Sequence, residues 1–95
     1  RETYDQQVQN GYMLRIINKT AEPRRFTLRV DGPAGITFAR DPGTIVLPPE
    51  EVRTVGVLLT VPAGTLRGRN DIEFVLTSEG DGLTLAESSR FFAPE

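Results

Sequence analysis

The sequence predicts an all-β domain, an antiparallel sandwich of about seven short strands. Three observations carry this. Apolar residues recur with a period of two, which marks strands with one buried face. Gly, Pro, Asn and Asp break the chain at short, regular intervals, as in sandwiches and barrels. The length of 95 residues suits one sandwich of seven or so strands, which needs about 100.

The elements follow in order. Tyr12, Leu14 and Ile16 alternate with Met13, Arg15 and Ile17, and Phe26, Leu28 and Val30 alternate with Arg25, Thr27 and Arg29. Val55, Val57, Leu59 and Val61 form the longest run, and Ile72, Phe74 and Leu76 the next. Strands are expected near 4–9, 12–18, 25–31, 36–40, 44–47, 52–61, 70–78 and 83–92. Turns are expected at Asn10-Gly11, 18–23, Asp31-Gly32-Pro33, Asp41-Pro42-Gly43, Pro48-Pro49, 62–68 and Gly80-Asp81-Gly82. No segment shows a sustained helical stripe. Residues 83–90 come nearest, but Thr84, Ser88, Ser89, Phe91 and Phe92 favour a strand there.

The expected core is Tyr12, Leu14, Ile16, Phe26, Leu28, Val30, Phe38, Val55, Val57, Leu59, Ile72, Phe74 and Leu76. With no Cys and no Trp, the disulfide and tryptophan of antibody domains are missing. The expected architecture is therefore an immunoglobulin-like, Greek-key sandwich without a disulfide. The chain opens at Arg1 with neither an initiator Met nor a leader pattern, so one domain cut from a longer protein is expected. No apolar stretch approaches the ~20 residues of a membrane span.

The chemistry available is narrow. Histidine and cysteine are absent, which removes the commonest general base, the Ser-His triad, the thiolate nucleophile and the usual ligands of zinc, copper, haem and iron–sulfur clusters. Met13 sits in a strand pattern and reads as a packing residue. Glu50-Glu51, Glu79, Asp81 and Glu87 have no spacing that asks for a catalytic pair. Glu79-Gly80-Asp81-Gly82 lacks the alternating acids of a calcium loop and reads as a hairpin turn. Residues 64–69 hold two glycines and two arginines, but a strand pattern follows them where a phosphate cradle needs a helix. Arg24-Arg25 and Arg67/Arg69 have no aromatic platform beside them, so nucleic acid is not an expected partner. The net charge of −2 points to no polyanionic partner either. Asn18-Lys19-Thr20 matches the glycosylation sequon. No catalytic, cofactor-binding or metal residue is expected in this chain.

At residues 5–19 the sequence resembles a known motif. Asp5, Val8, Asn10, Tyr12, Leu14, Ile16 and Asn18-Lys19 follow approximately D-G-x-I-x-N-x-Y-x-L-x-I-x-N-K. This opens the C-terminal immunoglobulin-like domain of the FixG/CcoG family of cytochrome c oxidase accessory proteins. The resemblance continues through residues 26–30, the turn at 32–35, Pro48-Pro49-Glu50-Glu51-Val52 and residues 89–94, nearly the whole chain. Gln6 and Ala93 depart from it, where the family has glycine. The motif residues also have physical jobs. Asn10-Gly11 suits a tight turn because both tolerate positive φ. Tyr12 carries its ring into the core face with its hydroxyl near the edge. Asn18 ends a strand, where its amide can satisfy turn backbone groups.

Members of the resembled family are bacterial inner-membrane proteins with a cysteine-rich, ferredoxin-like middle region that would carry iron–sulfur clusters. They assist maturation of a haem–copper terminal oxidase, with copper reduction as the implied chemistry. The resemblance therefore implies a non-catalytic accessory domain on the periplasmic side, following the last membrane span. Its protein partner would be an oxidase-assembly component or its own membrane domain, and the clusters would sit in parts of the parent that this chain does not contain. The alternative is a generic sandwich module of a secreted or surface protein, for adhesion, carbohydrate binding or spacing, with Tyr4 and one of Phe91 and Phe92 as its aromatics.

Overall fold

A computed structural model describes residues 6–95. Its seven strands are β1 (Gln7–Ile17), β2 (Arg24–Asp31), β3 (Thr37–Phe38), β4 (Ile45–Leu47), β5 (Val52–Pro62), β6 (Gly68–Ser78) and β7 (Thr84–Ala93). They form two antiparallel sheets, one of three strands in the order β1-β5-β3 and one of four in the order β4-β2-β6-β7. Every connection but the last crosses from one sheet to the other, so only β6 and β7 make a hairpin. This crossed wiring is that of the expected immunoglobulin-like, Greek-key sandwich.

The period of two is visible in burial. Even-numbered residues of β1 face the other sheet and Met13, Arg15 and Ile17 face out. Val57, Leu59 and Val61 of β5 meet Ile72 and Phe74 of β6 and Phe91 of β7 in the larger core cluster. Ile16, Phe26, Ile45 and Leu47 make a smaller one at the other end. Val8, Ile45, Leu47, Val61, Val75 and Phe91 are buried beyond the residues expected from sequence. Tyr12, Leu14, Leu28, Val30, Phe38, Val55 and Leu76 are only partly buried.

Two expected strands, near 4–9 and 12–18, are one. Residues 4 and 5 lie outside the described residues. From Gln7 opposite Pro62 to Ile17 opposite Val52, β1 runs beside β5 without a break. The turn expected at Asn10-Gly11 is absent, because an eleven-residue ladder to β5 outweighs a local preference for positive φ. Leu58 lies across Gly11, its Cδ1 3.9 Å from where a Cβ would stand. The expected turn at Gly80-Asp81-Gly82 does form, with φ of 101° at Gly80 and 69° at Gly82, values suited to glycine.

Neighbouring phenylalanines on β7 separate the two faces. Phe91 is fully buried and Phe92 is 58% exposed. Phe91→Ala is expected to cost about 3–5 kcal/mol and Phe92→Ala less than about 1 kcal/mol, measured by urea denaturation of both variants. Equal losses would mean that the sheet faces are assigned wrongly.

Candidate functional site

The motif residues Asn10, Gly11, Tyr12 and Asn18 all lie on or at the end of β1, an edge strand of the smaller sheet. Strand alternation turns Asn10 and Tyr12 toward the opposite sheet. The Asn10 Nδ2 donates to the Phe92 carbonyl at 2.9 Å, and the Phe92 N–H donates to Asn10 Oδ1 at 2.9 Å. The side-chain amide thus pairs with β7 as another peptide group would, and clasps the two sheets. Beside it the Tyr12 hydroxyl donates to the Arg90 carbonyl at 2.8 Å. The Tyr12 ring packs edge-on against Phe74, with centroids 5.0 Å apart and planes at 69°. Burial pushes the Tyr12 phenol up to about 12.

Asn18 is a second hub and is 1% exposed. Its Nδ2 shares two hydrogens among the carbonyls of Glu22 (2.9 Å), Leu47 (3.1 Å) and Pro48 (3.1 Å). Its Oδ1 accepts from the Thr20 N–H at 3.0 Å and lies 2.7 Å from the Thr20 hydroxyl. Its own N–H donates to Glu51 at 2.9 Å. One buried amide therefore joins the end of β1, the following loop and the turn after β4. The sequon nitrogen is consumed by these bonds, so Asn18 is closed to glycosylation in the folded domain.

The remaining charged candidates are dispersed. Arg24 pairs with Asp81 and Arg25 with Glu79, so these arginines make no free basic patch. Hydrogen bonds from the Leu83 N–H and Arg24 hold the Asp81 carboxyl below its usual range. Glu51 pairs with Arg53. Among the described residues, no three carboxylates stand close enough to hold a metal ion. Met13 is exposed on the outer face of β1, with its sulfur 3.5 Å from a Cβ built at Gly56. Of the aromatics considered for sugar binding, Phe91 is buried, Phe92 is exposed and Tyr4 lies outside the described residues.

Sequence reasoning did not find an open groove between the sheets. The clasp holds β1 to β7 at residues 10–12 and 90–92. Farther along, the twist of the sandwich carries the two strands apart. There a cavity of about 320 Å³ opens, with Leu14, Ile16, Leu28, Phe74, Leu76 and Leu85 among its lining. An adjoining cavity of about 230 Å³ shares Leu76 and Leu85 and reaches Ile17 and Leu83. Leu83 and Leu85 are 68% and 73% exposed.

Fold and clasp together define a cysteine-free, immunoglobulin-like sandwich whose motif side chains hold sheets and loops. The chain matches the model of a family described as "IG-like fold at C-terminal of FixG, putative oxidoreductase" over residues 1–94, and it belongs to that family. The crystal structure of a FixG-related protein from Vibrio parahaemolyticus is similar, with 29% identity and a TM-score of 0.83, covering 92% of this chain and 80% of that one. SSP-19, an MSP-domain protein like family member of Caenorhabditis elegans, shares the fold alone, with 15% identity and a TM-score of 0.53 over 90% of this chain and 88% of its own. No curated protein matches the chain.

Two predictions test the hubs. Asn18→Ala leaves the carbonyls of Glu22, Leu47 and Pro48 without their donor and is expected to cost roughly 3 kcal/mol by urea denaturation. A loss within about 0.5 kcal/mol would show that Asn18 ties nothing together. For Tyr12, the folded domain holds its proton to about 12 while an ordinary tyrosine releases it near 10. Between those values the unfolded chain binds fewer protons than the folded one, so stability falls as pH rises. The contribution is complete below pH 10 and is lost through about 12. Melting curves should show this alkaline loss in the unaltered chain and a smaller one in Tyr12→Phe.

Proposed function

We propose that this chain is the non-catalytic accessory domain of a membrane-bound iron–sulfur redox protein. It contacts a protein partner on the periplasmic side of the bacterial inner membrane during assembly of the terminal cytochrome oxidase. Membership of the FixG C-terminal family over residues 1–94 is the observation that carries this reading. The residue inventory supports it. A chain without His or Cys has no thiolate for an iron–sulfur cluster and no imidazole for copper. Electron transfer and the implied copper reduction therefore belong to other parts of the parent, and this domain contributes contact. Its partners would be oxidase-assembly components or the parent's own membrane domain.

Deleting the domain from the full-length parent tests the reading. The parent should keep its iron–sulfur absorption spectrum in isolated membranes while active terminal oxidase falls severalfold. Unchanged oxidase with the deletion would refute a role in assembly. Loss of the clusters themselves would place the domain in the folding of the redox region instead.

A further inference from the structure

We infer that the groove between β1 and β7 is a docking site for an extended polypeptide, which adds a fourth strand to the smaller sheet along the free edge of β1. The inference deepens the proposed contact role and rests on it only for biological purpose, since the binding is a property of this chain alone.

Backbone direction supplies the first reason. The Asn18 N–H donates to Glu51 and the Ala63 N–H to the Gln6 carbonyl. In an antiparallel ladder such bonds fall on alternate residues. The even-numbered residues of β1 therefore turn their peptide groups to β5. Those of Met13, Arg15 and Ile17 point away from it, over the groove. A row of outward N–H and C=O groups is a template for another strand.

The second reason is missing cover. Three strands face four, and β1 meets β7 only near the clasp. Leu85 lies on the inner face of β7, opposite Leu76 of β6 in register. Nothing from the smaller sheet lies over it, and it is 73% exposed. A strand beside β1, about 4.8 Å away, would lie above Leu85 and close the cavity over Leu14, Ile16 and Leu76. A strand added to β7 instead would widen the larger sheet and leave the inner face of Leu85 bare. Glu87 lines the same cavity from the inner face of β7, so the occupant's inward side chains are apolar and turn toward Leu83 and Leu85, and its acidic residues are confined to the outward side.

Charge gives the occupant its character. On the outer face of the larger sheet, Arg25, Arg29 and Arg90 each have a carboxylate partner. Arg15 and Lys19 line the groove on the β1 side, and no ion-pair partner stands beside either among the described residues. A residue directly across from Arg15 on an added strand would face it on the solvent side, where opposite charges stabilise the pair. The complementary segment therefore alternates apolar residues facing in with acidic residues facing out.

The probe is a synthetic peptide of alternating valine and glutamate, about nine residues long, enough to span the groove at ~3.3 Å per residue. Its valine–lysine counterpart is the control. At low salt the glutamate peptide should bind the chain at least about tenfold more tightly than the lysine peptide. By NMR, the amides of Met13, Arg15 and Ile17 should shift and exchange more slowly with solvent, while those of Thr84, Ala86 and Ser88 should not. Leu85→Asp, at an exposed position that leaves the fold intact, should abolish binding. Arg15→Glu should reverse the preference between the peptides. No binding, equal binding of the two peptides, or protection on β7 would overturn the inference. So would concentration-dependent dimers abolished by Leu85→Asp, since the groove would then serve a second copy. Peptide failure with a positive domain-deletion result would sink this site and leave the accessory role standing.

Discussion

The pairing of the Asn10 side chain with the main chain of Phe92 decides how this sandwich closes. Two twisted sheets packed face to face can share a tight edge at one end only, because twist rotates their edge strands apart. The amide of Asn10 and the hydroxyl of Tyr12 place that edge at residues 90–92 of β7. Phe91, between the two bonded residues, is turned inward and fully buried. The same clasp sets where the sheets part, so the groove near Leu85 is its geometric consequence.

A small domain without disulfides needs such fixed points. At 95 residues only about 60–65% of the unfolded chain's surface is buried, and net stability is a small difference between large terms. Hydrogen bonds each contribute about 1 kcal/mol, so the clasp adds little energy beside the cores. Its effect is to select one relative placement of the sheets. Asn18 does the same for the loops by satisfying buried carbonyls that would otherwise cost desolvation. Both asparagines use an amide because it sets two N–H donors and a separate carbonyl acceptor side by side, as a hydroxyl does not.

Much of this was legible in the sequence. Alternation located the long strands and the inward faces of β2, β5 and β6, since a face is written in every second residue. Asn18 was legible as a strand end, and Tyr12 as a ring in the core with its hydroxyl at the edge. The Asn10-Gly11 pair misled, because its local meaning is a turn and its structural meaning depends on Phe92, 82 residues away. The groove was hidden for a related reason. Leu83 and Leu85 fall within the strand expected near 83–92, and a strand pattern reports which face a side chain takes. Whether another strand covers that face depends on how three strands are laid over four.

That difference bears on how the domain would serve the proposed redox parent. A sandwich closed on all sides would present polar rims and act as a spacer. Among the described residues this one uses its buried amides to hold sheets and loops, leaves the outer edge of β1 without a neighbouring strand, and leaves leucines beside that edge in water. Exposed apolar side chains flanking an open strand edge invite aggregation unless a partner covers them or charge guards them. Here the guards on the β1 rim are Arg15 and Lys19, which repel cationic or like segments and accept acidic ones. Cations that limit self-association also specify the charge of the strand that fits, so solubility and recognition are one constraint on the same edge.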